Sequence, residues 1–102
     1  MKTFTRYHTK TGSMYDVLKT EAGTLVRQAK AGGKYVEGRA NGKWTPAQDA
    51  GPSGLGWDAP LFIYWGPGRD EHSPTDDGIP DEKRQRNTVT SPIVRVEIVE
   101  EA

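Results

Sequence analysis

The chain has 102 residues, 14 Lys/Arg balanced by 14 Asp/Glu, no cysteine, and 33% apolar residues beside 12 glycines and 7 prolines. That length holds one domain, 1–102, and the lack of cysteine excludes disulfides, thiolate catalysis and Cys-based zinc sites. With apolar residues so scarce, the core must rest on large side chains such as Phe4, Trp44, Trp57, Phe62 and Trp65, each of which can bury more area than an aliphatic residue.

The stretch from Met1 to Lys10 is polar with no apolar run, so no signal peptide is expected. Residues 4–9, rich in Thr and aromatics, predict a first strand. Thr11-Gly12-Ser13 breaks it, and residues 14–18 predict a second. Residues 24–31, 34–40 and 43–46 then read as a meander, joined at Gly32-Gly33 and Asn41-Gly42, pairs that favour the primed turns of tight hairpins. In that register Ala29 faces Val36 and Leu25 faces Ala40 on the inner side. The outer side carries Val26, Lys30, Tyr35 and Glu37, with Trp44 opposite Arg39. A short helix over 24–31, capped by Thr24, is the alternative, since so few residues discriminate poorly between the two periods.

Residues 51–59 read as a loop. Leu61-Phe62-Ile63-Tyr64-Trp65 predicts a central strand covered on both faces. It lies in the longest apolar run, 60–65, which is too short to span a bilayer. A last strand over 88–99 alternates Val94, Val96 and Ile98 with Arg95 and Glu97, predicting one core face and one wet face. Pro92 belongs at its start, at a bulge, or with its nitrogen turned outward. Between these strands, residues 66–87 show no periodicity and predict a long polar loop. The fold class is therefore mainly β: an antiparallel sheet or half-open barrel of five or six strands, an SH3-like barrel being one such form. An α+β fold with the helix at 24–31 is the alternative.

Several stretches together, Thr11-Gly12-Ser13-Met14-Tyr15-Asp16-Val17, Gly42-Lys43-Trp44, residues 61–65 and Thr90-Ser91-Pro92-Ile93-Val94, resemble short proteins of actinobacterial phages and prophages. These carry a TGSxY element near the start and a TSPV-like element before the last strand. The resemblance covers about a third of the chain in scattered pieces. It implies a phage accessory protein and, with no activity attached to the family, no catalytic residues.

The candidate chemistry is thin. Asp70, Glu71, Asp76, Asp77, Asp81 and Glu82 make the long loop acidic. A calcium loop needs oxygens at regular alternate positions, and Asp76-Asp77-Gly78 supplies only a fragment. The loop reads as solvated and self-repelling, with no metal and no cofactor expected. His8 and His72 lack a partner at a spacing suited to proton transfer, and Ser13, Ser53, Ser73 and Ser91 lack a nucleophile elbow. No enzyme is expected. A nucleic-acid reading draws on Tyr35, Trp44, Lys30 and Arg39 with Lys83, Arg84 and Arg86, since aromatics in a basic groove stack bases. Zero net charge and the acidic loop oppose it.

Charge is nevertheless uneven: residues 1–50 hold nine Lys/Arg and four Asp/Glu, residues 51–102 five and ten. The leading expectation is a protein–protein interaction module, cytoplasmic and without a membrane partner, whose partner is a host or defence component or a second copy of the chain. Its binding residues would be Tyr35, Arg39 and Trp44, with Asp70, Glu71, Asp76, Asp77, Asp81 and Glu82 as an electrostatic lure. A small nucleic-acid binder and a minor structural or assembly component are the alternatives.

Overall fold

The computed structural model describes residues 2–30, 42–54, 59–68, 78–80, 83 and 85–101. They form seven strands: β1 (Lys2–Thr9), β2 (Met14–Thr20), β3 (Gly23–Lys30), β4 (Thr45–Ala47), β5 (Asp49–Pro52), β6 (Pro60–Pro67) and β7 (Gln85–Glu101). The sheet runs β4-β3-β2-β1-β7-β6-β5 and every pairing is antiparallel. Its two outermost strands, β4 and β5, are separated in the chain by Gln48 alone, so the sheet must curl to bring its ends together. Gln48 N donates to Tyr64 O (2.8 Å), fixing that corner. The result is a mainly β, curled half-barrel, as the sequence predicts, with the two shortest strands raising the count to seven.

Residues 24–30 do not form the alternative helix: β3 pairs with β2 through Val17↔Val26 and Leu18↔Leu25. The sidedness expected of this strand is reversed. Val26 shares the inner face with Val17 and is wholly buried, while Leu25 lies on the other side with Leu18. Ala29, expected inside, is exposed, beside a register shift between Met14 and Tyr15. The meander order also differs, since β4 pairs directly with β3 through Val26↔Thr45. The expected partners Val36, Ala40 and Arg39 lie outside the described residues.

The core gathers Tyr15, Val17 and Val26 from one wall and Ala50, Leu61, Ile63 and Trp65 from the other, with Tyr7, Ala47 and Ile93 packed against it. Strand β6 alternates: Leu61, Ile63 and Trp65 are buried, but Phe62 and Tyr64 are only half-buried on the outer face beside Asp49 and Asn87. It is thus flanked by β5 and β7 but not covered on both faces. Trp65 Nε1 donates to Thr88 Oγ1 (2.8 Å), satisfying the indole as its ring enters the core. The 66–87 connection is shorter than predicted, because β6 continues to Pro67 and β7 starts at Gln85. The expected 51–59 loop likewise gives up Gly51 and Pro52 to β5.

Candidate functional site

The outer face of the sheet carries a row of alternating charge across four strands: Arg27 on β3, Asp16 on β2, Arg6 on β1 and Glu97 on β7. Antiparallel neighbours set directly opposite share a face, and opposite charges there attract. The Asp16 side chain is wholly buried. Its Oδ1 accepts from Arg6 Nε (2.7 Å), and its Oδ2 accepts from Arg6 Nη2 (3.1 Å), Arg27 Nε (3.1 Å) and Arg27 Nη2 (2.8 Å). A buried carboxylate is tolerable when paired and hydrogen-bonded in this way. The bond to Asp16 holds Arg6 above the ordinary arginine value. Burial pulls Arg27 down, but its bonds to Asp16 and Glu101 outweigh that and raise it. Both remain cationic and both are committed to the same anion.

One step along the strands lies an apolar row, Leu25, Leu18, Phe4 and Val99. Trp44 closes over it. Its ring meets Phe4 edge-on at 5.3 Å and 72°, and the Arg27 guanidinium sits 4.3 Å from its centroid. Trp44, expected as a displayed anchor, is therefore half-buried, a cover for this face stacked on Arg27. The other expected binding residues, Tyr35, Arg39, Asp70, Glu71, Asp76, Asp77, Asp81 and Glu82, lie outside the described residues.

The last strand departs from expectation in the most informative way. Val96 pairs with Tyr7 and Ile98 with Thr5, so both sit on the inner face, as their alternation predicts. Yet Val94, Val96 and Ile98 are 61%, 53% and 67% exposed. The cause is the length of β7. Its first half pairs with β6 only as far as Pro60↔Pro92, and Ile93 N donates to Ala59 O (3.0 Å) just beyond. From Val94 to Glu101 it pairs with β1 alone, and among the described residues no strand takes its other side. A register shift between His8 and Thr9, which makes Val94 the extra residue, marks the point where the strand leaves one half of the sheet for the other. Pro92 stands at that transition, between register shifts on both of its ladders, so of the positions expected for it the bulge is the one it takes.

No family model, curated protein or solved structure matches the chain. The site must therefore be judged on its own geometry.

The free edge spans eight residues, Val94 to Glu101, and carries three exposed aliphatic side chains. A shallow groove lined by Thr3, Thr5, Tyr7, Val17, Lys19 and Ile98 runs beside it. On the outer face Arg95 Nη2 bonds Glu97 Oε2 (2.9 Å), and His8 Nε2 lies 3.4 Å from the same oxygen. Of the residues weighed for catalysis, Ser91 shares a hydroxyl hydrogen bond with Thr11 (2.9 Å), Ser13 is buried in the β1–β2 turn and Ser53 is exposed. His72 and Ser73 lie outside the described residues. Among the described residues, no three His, Asp or Glu side chains converge where a metal ion could sit, and no helix is long and apolar enough to cross a membrane.

Sequence reasoning missed two features. The charge row was concealed because Arg6, Asp16 and Arg27 meet only once the β1–β2 and β2–β3 registers are known. The open edge was concealed because aliphatic alternation looks the same whether the face meets a core or a partner.

Proposed function

We propose that the protein is a non-enzymatic protein–protein interaction module that docks its partner along the free edge of β7. The carrying observation is the run Val94 to Glu101, which among the described residues pairs with β1 alone, with Val94, Val96 and Ile98 more than half exposed. An unpaired strand presents a row of amides and carbonyls ready to add another strand, with alternate side chains supplying selectivity. Proteins usually blunt such edges with charges and bulges; this one carries Arg95, Glu97, Glu100 and Glu101 but still leaves three aliphatic side chains in water. The phage resemblance supports an accessory role in the cytoplasm of a bacterial host, engaging a host or defence component. The nucleic-acid reading finds less support. Arg6 and Arg27 spend their charge on Asp16, and the free edge carries Glu97, Glu100 and Glu101, which repel phosphate.

The test compares the parent with a V96K/I98K variant. Both positions are exposed, so the melting temperature should hold while capture of the partner by tagged protein is lost. Parallel titrations with single- and double-stranded oligonucleotides should show only weak attraction. Tight, salt-sensitive oligonucleotide binding, or a partner retained by the variant, overturns the proposal.

A further inference from the structure

Strand β6 runs up the middle of a second surface, apart from the free edge. On its outer face Phe62 and Tyr64 point the same way, about 6.6 Å apart along the strand. The ladder to β7 is regular between them, with register shifts just before Phe62 and just after Tyr64. Each ring is therefore set in a row across three strands. Phe62 lies between Gly51 on β5 and Val89 on β7, and Tyr64 lies between Asp49 and Asn87. Gln85 joins Asp49, Asn87 and the two rings in lining a shallow groove of about 370 Å³.

Packing does not account for these rings. An aromatic opposite a strand glycine can lie over it and cover the bare backbone. Here a Cβ added at Gly51 would meet no atom within 4 Å, so the space beside Phe62 is open. Val89 on the other side is 59% exposed. Asp49, Gln85 and Asn87 are exposed too, and Asp49 Oδ1 accepts from Ala50 N (2.9 Å), which fixes that carboxylate at the rim.

The chemistry of the rim selects the ligand. Among the lining residues Asp49 holds the one charge, so an anion such as a phosphate backbone is repelled. The amides of Gln85 and Asn87 both donate and accept, and the carboxylate accepts. Hydroxyl groups match that set, whereas an ammonium or guanidinium group only donates. Between these groups the ligand must rest on the electron-rich faces of two side-by-side rings, which attract C–H groups made slightly positive by neighbouring oxygens. A sugar ring with mostly equatorial hydroxyls offers both, with hydroxyls around its rim and C–H groups on its flat faces.

We infer that the outer face of β5, β6 and β7 binds a neutral saccharide, its pyranose units laid over Phe62 and Tyr64 and its hydroxyls bonded to Asp49, Asn87 and Gln85. The inference does not rest on the reading of the β7 edge, since the two surfaces share no residue.

The test is a nuclear magnetic resonance titration of the amide-labelled chain with cellohexaose, xylohexaose and chitohexaose in turn. At least one should move the amides of Asp49, Gly51, Phe62, Tyr64 and Asn87 together, with a dissociation constant of about 1 mM or tighter. Two variants report the site without disturbing the core. N87A removes an exposed amide, and G51V fills the open space beside Phe62 at a position whose φ is not positive. Each should weaken binding at least about tenfold with the melting temperature held. V96K/I98K should bind saccharide as the parent does. Choline and oligothymidine, titrated in parallel, should leave the same amides in place. The inference is overturned if none of the three saccharides moves these amides, or if N87A and G51V bind like the parent. It is equally overturned if choline or oligothymidine binds there more tightly than every saccharide, or if binding is lost in V96K/I98K, which would put the ligand on the edge.

Discussion

Asp16→Asn should be among the most damaging isosteric changes in this protein. The carboxylate is wholly buried and receives four N–H bonds from two guanidinium groups. The amide keeps the shape but removes the charge and turns a donor towards donors. Arg6 and Arg27 are then left side by side with only Glu97 and Glu101 to answer them. Removing one member of a buried pair costs about 3–5 kcal/mol. The arginine side chains are 22% and 16% exposed, so water can take up part of the loss and the lower end, about 3 kcal/mol, applies. For a domain of this size each kcal/mol shifts the melting midpoint by about 4–8 °C, so the midpoint should fall by about 12–24 °C. Thermal circular dichroism at neutral pH measures it. Glu101→Gln serves as the comparison. Its contact with Arg27 is 3.3 Å with the glutamate 43% exposed, so its loss should cost under about 1 kcal/mol. If Asp16→Asn melts within the small shift of Glu101→Gln, the charge row does not hold β1, β2 and β3 together and the energetic reasoning fails.

Ile63→Ala opens a cavity in a wholly buried site between β5 and β7 and should cost about 2–5 kcal/mol in urea unfolding; a parent-like midpoint would remove Ile63 from the core. Burial raises the Tyr7 hydroxyl above its ordinary value, so the folded state holds this proton more tightly than the unfolded chain. The contribution is complete below about pH 10, the unfolded value, and is lost as pH rises through the folded one. Tyr7→Phe should therefore flatten the alkaline decline of the melting temperature, and identical alkaline slopes in the two proteins would exclude Tyr7 as its source.

The parts of the fold that were legible in the sequence are those that rest on local pattern. The β-preferring runs gave β1, β2 and β6 to within a few residues, and the alternation of Val94, Val96 and Ile98 correctly placed Val96 and Ile98 with Tyr7 and Val17 on the inner face. Whether that face is covered depends on how far β5 and β6 reach, a property of other segments that alternation does not encode. The sidedness of β3 went the wrong way for a related reason. It was deduced from a hairpin to its C-terminal side, whereas the ladder that sets it is with β2, where Val26 meets Val17. Trp44 was legible as an aromatic among cations. Its cation, however, is Arg27 from β3, and the pair caps Phe4 rather than facing outward. The Asp16 cluster left no local trace, because a lone aspartate among β-formers reads as an ordinary exposed strand position until two flanking strands each bring an arginine opposite it.

The long β7 also constrains the order in which this protein can be built. Strands β1, β2 and β3 are joined by short turns and can pair as soon as they are made. The strand that unites them with β6 and β5 is the seventh, and its ladder with β1 runs from Lys2↔Glu101 to Thr9↔Ile93, across nearly the whole sequence. Contacts so distant along the chain slow folding, since the loop must close before the pairing repays it. During synthesis the two walls can meet first only at the Gln48 corner, and the ladder that closes the sheet between them waits for the last strand. The closing ladder is thus the most non-local part of the fold and the last that synthesis can supply.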